Sequence, residues 1–183
     1  VGLSGVGHSG EERGDSEQGG DSRAELIPQP GAMTLRRRAR HRAVGEHLGM
    51  TIQKINPDTI APPHGHTQVI VATGSKHVYI SGQIAIDVDE KLLGEGDYET
   101  QGYHTVKNAY AAIAASGANP KDVVRMMVYV VDPTQENLEK LYGGLARATS
   151  EAGGSTTAMT LIGVVGLSTP GALVEADMTA ITD

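Results

Sequence analysis

From residue 67 onward, apolar and polar positions fall into short regular runs. Gln68, Ile70 and Ala72 alternate with Val69, Val71 and Thr73, a period of two that predicts a strand. Gly74-Ser75-Lys76 is expected to turn the chain, with residues 77–83 returning as a second strand. After a Gly94-Glu95-Gly96 loop, Asp97 is a good helix N-cap. Val106, Ala109, Tyr110, Ile113 and Ala114 then follow at helical spacing, and Gly117 supplies the stop. Residues 123–131 are rich in valine and methionine and read as a buried strand. Thr134 caps a second helix whose apolar stripe is Leu138, Leu141, Tyr142 and Leu145. Two more strands, about 157–166 and 172–181, are joined by Ser168-Thr169-Pro170-Gly171. The order ββαβαββ predicts an α+β fold with both helices on one face of a largely antiparallel sheet. The opposite sheet face still carries apolar residues that a single copy would leave wet, so self-association is expected.

The first 49 residues break this pattern. They are rich in Gly, Ser, Asp and Glu with almost no periodic apolar positions, and read as a disordered extension, with Met50 opening the folded domain of residues 50–183. Residues 36–42 form an arginine-rich cluster, the one segment suited to an anionic partner or RNA. Residues 1–49 hold seven Arg and seven Asp or Glu, so the whole formal charge of −7 lies in the folded part. That acidic balance weighs against nucleic-acid binding by its general surface. The chain has no Cys, which excludes disulfides and thiol chemistry. No apolar run approaches the roughly 18 residues of a membrane span, so a cytoplasmic protein is expected.

The decisive motifs come as an ordered set. Residues 79–86 read Tyr-Ile-Ser-Gly-Gln-Ile-Ala-Ile. Gly96-Asp97, Gln101 and Asn108 accompany the first helix, and Val128-Tyr129-Val130 with Asp132 follow it. Ala158, Thr160, Val164, Leu167, Pro170-Gly171 and Val174-Glu175-Ala176 close the series. Over residues 50–183 this set resembles the RidA/YjgF family of enamine/imine deaminases. The resemblance implies a chorismate-mutase-like fold and a homotrimer whose sheets form a central barrel. It implies three small-molecule clefts between neighbouring subunits. It further implies hydrolysis of enamine/imine intermediates to a 2-keto acid and ammonia, with no metal and no cofactor. Some members carry older labels such as endoribonuclease or translation inhibitor.

The resemblance also points to site residues. Glu175 matches the glutamate that contacts the reacting centre, where a carboxylate can orient the attacking water. Along a strand Glu175, Asp177 and Thr179 share one face, opposite Val174, Ala176 and Met178. Ser81 and Gly82 offer a hydroxyl and an open backbone to a ligand. Met159 occupies the position where the family usually holds an arginine that grips the substrate carboxylate. A guanidinium makes two parallel charge-assisted hydrogen bonds to a carboxylate; methionine offers neither charge nor a strong donor. The family's cleft-mouth tyrosine is replaced by His66, Thr67 or Gln68, and its second-helix asparagine has only Glu139 or Lys140 nearby. His64 and His66 form a possible metal pair, but zinc needs three or four ligands and no third is obvious, so no metal is expected. Three readings follow. One is a hydrolase whose substrate lacks the carboxylate or meets another cation such as Arg125 or Lys107. The second is a catalytically silent ligand- or partner-binding trimer. The third and weakest is a ribonuclease.

Overall fold

The computed structural model describes residues 49–183; the expected extension and its arginine cluster at 36–42 lie outside the described residues, apart from Gly49. Six strands and two helices follow in order: β1 (Thr51–Ile55), β2 (Val69–Thr73), β3 (Lys76–Ile84), α1 (Tyr98–Ala115), β4 (Val123–Val131), α2 (Gln135–Glu151), β5 (Ala158–Val164) and β6 (Val174–Thr182). A single 3-10 turn at Pro120–Asp122 leads into β4. No helix among the described residues is long and apolar enough to cross a membrane.

The main sheet has the order β3-β6-β4-β5. The last strand slots between two earlier ones and runs antiparallel to both, while β4 and β5 pair in parallel through the α2 crossover. Alternation along β6 explains the insertion. Val174, Ala176, Met178 and Ala180 are buried, as a central strand covered on one face requires. They meet Met126, Val128 and Val130 of β4, Val106, Ala109, Tyr110 and Ile113 of α1, and Leu141 and Leu145 of α2. Both helices therefore lie on one face of the sheet, as their apolar stripes predict. On the other face stand Met127, Tyr129, Ile162 and Val164, with Glu175 and Asp177 among them. No described helix covers that face.

The caps follow the sequence. The Asp97 carboxylate accepts from the Glu99 and Thr100 amides at 3.0 and 3.3 Å and from the Thr100 hydroxyl at 2.5 Å. These bonds, the Thr100 hydroxyl foremost, hold its pKa below the usual carboxylate value. Thr134 Oγ1 accepts from the Asn137 amide at 3.3 Å.

One strand pairing differs from expectation. β2 does not fold back on β3; it pairs with β1, a strand that the alternation from residue 67 left out. At the bend a Cβ on Gly74 would lie 2.7 Å from both the Ile181 side chain and the Thr182 carbonyl, so the chain passes close against the end of β6 there. The β1–β2 ribbon is tied at one end by the Met50 amide donating to Asp183. At the other end Lys54 Nζ donates to Ser155 Oγ at 2.8 Å, and the Thr67 amide donates to the Thr157 carbonyl at 2.9 Å. β5 and β6, successive in sequence, are not neighbours: β4 separates them.

Candidate functional site

The residues singled out from the sequence divide into two groups on opposite faces of the main sheet. The first group is on the face away from the helices. Where β3 meets β6, Ser81 and Gly82 stand against the single residue Asp177, a β-bulge in the middle of the ladder. Glu175 lies beside that bulge. A Cβ on Gly82 would come within 1.8 Å of Glu175 Oε1, so only glycine lets the carboxylate rest there. Ser81 and Gly82 are exposed and Glu175 is half-buried. Among the described residues none donates a hydrogen bond to Glu175. One residue pair away, Tyr129 Oη donates to Asp177 Oδ2 at 3.1 Å. That bond, reinforced by the negative charges of Asp177 and Glu175, raises the phenol's pKa above its usual value.

Two side-chain amides on α1, one buried and one half-buried, hold this half in place. Gln101, fully buried, donates from Nε2 to the Gly94 and Gly171 carbonyls at 3.0 and 2.9 Å and accepts from the Leu173 amide at 2.8 Å. Leu173 is two residues before Glu175. Asn108 Nδ2 donates to the Ile84 and Ile86 carbonyls, both at 2.9 Å, just beyond the bulge. Helix α1 thus fixes the chain on both sides of the Glu175 site.

The second group lines a recess of about 910 Å³ on the helix side, at the β5 edge. Met159 pairs in register with Met126, which pairs with Met178 facing the core, so Met159 points to the helix side. Glu175 is in register with Tyr129 and Ile162 and points the other way. Met126, Met159 and Leu161 from the strands and Leu145 from α2 form the apolar wall. Tyr142, read from the sequence as part of the core stripe, is 45% exposed and belongs to this wall instead. Ser155, Thr156 and Thr157 add hydroxyls before β5. The 62–66 segment forms the rim with Pro62, His64 and His66. His66 Nδ1 is 3.2 Å from the His64 carbonyl. A carbonyl can only accept, so as a hydrogen bond this contact needs the proton on Nδ1.

Among the described residues, none that lines this recess is Lys, Arg, Asp or Glu. Neither alternative cation considered from the sequence reaches it. Arg125 is exposed on the other sheet face, its guanidinium against Met127 Sδ at 3.1 Å, and Lys107 stands on α1 over the Tyr103 ring at 5.7 Å. Lys54 comes nearest, but its ammonium donates to Ser155 Oγ, the Thr156 carbonyl and Thr156 Oγ1. Among the described residues no group of three or more His, Cys, Asp or Glu is assembled in a metal-binding arrangement. Thr149 and the Ser155 and Thr156 hydroxyls were not singled out in the sequence, and Tyr142 was read there as core rather than as site wall. The available signal was a tyrosine at the edge of a helical stripe and a Ser-Thr-Thr run directly before Met159.

Residues 57–182 match the family described as Endoribonuclease L-PSP. The chain belongs to this family, known also as the Rid or YjgF family. A structure of the Rid family protein YyfB from Yersinia pestis, itself described as of unknown function, is 30% identical with a TM-score of 0.64, covering 71% of this chain and 98% of that one. Escherichia coli TdcF, solved with bound serine, shares the fold at 18% identity and a TM-score of 0.53, over 68% of this chain and 91% of its own. Protein DfrA from Myxococcus xanthus is 30% identical over 76 residues, 42% of this chain; the match spans 56% of that relative. The Rid fold accounts for the β3-β6-β4-β5 sheet with two helices on one side.

Proposed function

We propose that this Rid-family chain works as a homotrimer that binds a small metabolite in clefts between subunits and hydrolyses an enamine or imine there to a carbonyl compound and ammonia. One observation carries the reading: Met159 and Glu175 project from opposite faces of one sheet, so a cleft using both must draw them from two copies. The Met159 recess of one subunit supplies the ligand's binding wall. The neighbour contributes Glu175, with Ser81 and Gly82 beside it. Glu175 carries the general-base role, since no described residue occupies its carboxylate with a hydrogen bond and it is free to orient water. The exposed bulge at Ser81-Gly82 offers a hydroxyl and backbone groups to the leaving nitrogen. The scheme uses no metal and no cofactor. The absence of lysine and arginine from the described lining of the recess favours a second reading, a ligand-binding trimer without turnover, over any role in cutting phosphodiesters.

The test is subunit complementation. Glu175→Ala chains and chains blocked in the recess by Met159→Trp are each assayed for imine hydrolysis with semicarbazide trapping. The two are then unfolded together and refolded as mixed oligomers. Inactive parents that regain a sizeable share of turnover when mixed support a shared cleft. A monomer by light scattering, or no recovery in a verified mixed trimer of an active wild type, would sink the shared-cleft reading. A trimer with no turnover on any imine would leave the silent binder.

A further inference from the structure

Among the described residues the recess has no lysine or arginine in its lining, and the subunit arrangement proposed above brings it a carboxylate. We infer, resting on that reading, that the substrate is an imine without a carboxylate: the aldimine of an apolar primary amine, bound by its side chain in the Met159 recess. The argument starts from desolvation. A 2-imino acid buried here would place its carboxylate against thioethers, leucines and hydroxyls, with no guanidinium or free ammonium to receive it. Lys54, the nearest positive charge, already directs its N–H groups at Ser155 and Thr156 oxygens. A carboxylate would have to break those bonds to reach it.

The charge from the other side of the cleft works in the same direction. Glu175 of a neighbouring subunit would add a negative charge, which repels a substrate carboxylate and attracts a protonated imine nitrogen. Met126, Met159, Leu161 and Leu145 give an apolar wall whose thioethers adapt to a branched or flat side chain. At the rim His66 has Nδ1 engaged by the His64 carbonyl, which leaves Nε2 for the ligand. The site thus combines an apolar pocket, neutral hydroxyls and acceptor groups, complementary to a nitrogen cation on an apolar stem.

The step balances without a further reagent. Water adds its oxygen to the imine carbon of R–CH=NH, the C–N bond breaks, and the nitrogen leaves as ammonia carrying the protons released by water, giving R–CHO. Glu175 takes a proton from water and returns it to the leaving nitrogen. The reaction supplying such a substrate is oxidation of a primary amine at the carbon bearing nitrogen.

The test matches two imines with the same isobutyl group. An amine oxidase acting on 3-methylbutylamine gives the carboxylate-free imine, and an L-amino-acid oxidase acting on leucine gives the 2-imino acid. Semicarbazide trapping reports loss of each. The wild type is expected to accelerate loss of the carboxylate-free imine at least tenfold more than the imino acid, and Met159→Arg to reverse that order. A wild type preferring the imino acid, or Met159→Arg leaving the preference unchanged, overturns the inference while leaving the hydrolase standing. An imino-acid activity lost in Lys54→Met would overturn it by assigning the carboxylate to Lys54. If neither imine is hydrolysed, the hydrolase reading fails and calorimetry decides the inference. Binding of 3-methylbutanamide at least tenfold tighter than of 4-methyl-2-oxopentanoate supports it, and the opposite order or equal affinity overturns it.

Discussion

Replacing Gln101 with leucine removes a three-way clamp while nearly preserving volume. The side chain is fully buried and joins the Gly94 turn, the Gly171 turn and the chain running into β6. Leucine leaves two carbonyls and one amide without their partner. Each lost hydrogen bond is worth about 1 kcal/mol net, with more where the orphaned group stays dry. Gly171 is exposed and its carbonyl can turn to water; Gly94 and Leu173 are half-buried and rehydrate less easily. The expected loss is about 3 kcal/mol, which lowers Tm by roughly 10 °C for a domain of this size. Urea unfolding followed by circular dichroism would measure it, with the slope against urea unchanged if only the native state is affected. Amide exchange adds a local readout: the Leu173 N–H should lose its protection in the variant. A loss below about 1 kcal/mol, with Leu173 still protected, would refute the claim that Gln101 holds the approach to Glu175.

Other substitutions test the site and its supports. Gly82→Ala forces Glu175 Oε1 to retreat from 1.8 Å to an ordinary 3.4 Å contact. Because the carboxylate end is flexible, stability should change by less than about 1 kcal/mol, whereas Glu175-dependent turnover should fall about 100-fold; retained turnover would mean that this position of Glu175 is not the working one. Asp97→Ala should cost about 1 kcal/mol at neutral pH through loss of the α1 cap. The folded-state pKa of Asp97 is depressed, so its contribution is present above the ordinary carboxylate pKa and lost as pH falls through the folded value. The gap between wild type and Asp97→Ala should therefore shrink in acid, and a gap that widens would contradict the assignment. The buried Tyr110 hydroxyl takes up the space that a Cβ on Gly154 would need and lies near Thr149 without a hydrogen bond of normal geometry. Tyr110→Phe should consequently be neutral or slightly stabilising by thermal melt, while a loss above about 1 kcal/mol would reveal a partner.

Much of the molecule could be read one element at a time. Asp97 and Thr134 start the two helices where short-range capping chemistry puts them. The alternation of Val174 to Ala180 already states that Glu175, Asp177 and Thr179 face away from the core, because side-chain direction along a strand is a local property. Met159 and Glu175 stand out through the ordered motif around them. What residue order could not supply was strand partnership. β2 alternates as if for a hairpin with β3 but pairs with β1, and the alternation of a strand does not name its partner. The register running from Met159 through Met126, and from Ile162 through Tyr129 to Glu175, sets the two candidate residues on opposite faces, and it exists only once β4 lies between β5 and β6. The recess is likewise tertiary. Its wall joins β4, β5, α2 and the 62–66 segment, and Tyr142 changes from core residue to wall because packing leaves that flank of α2 open. Local chemistry fixed the helices, the caps and the inward face of each strand, since these depend on neighbours a few residues away. The pairing order, and with it the separation of Met159 from Glu175 and the uncharged recess, was decided by contacts between distant segments competing for the same sheet edges.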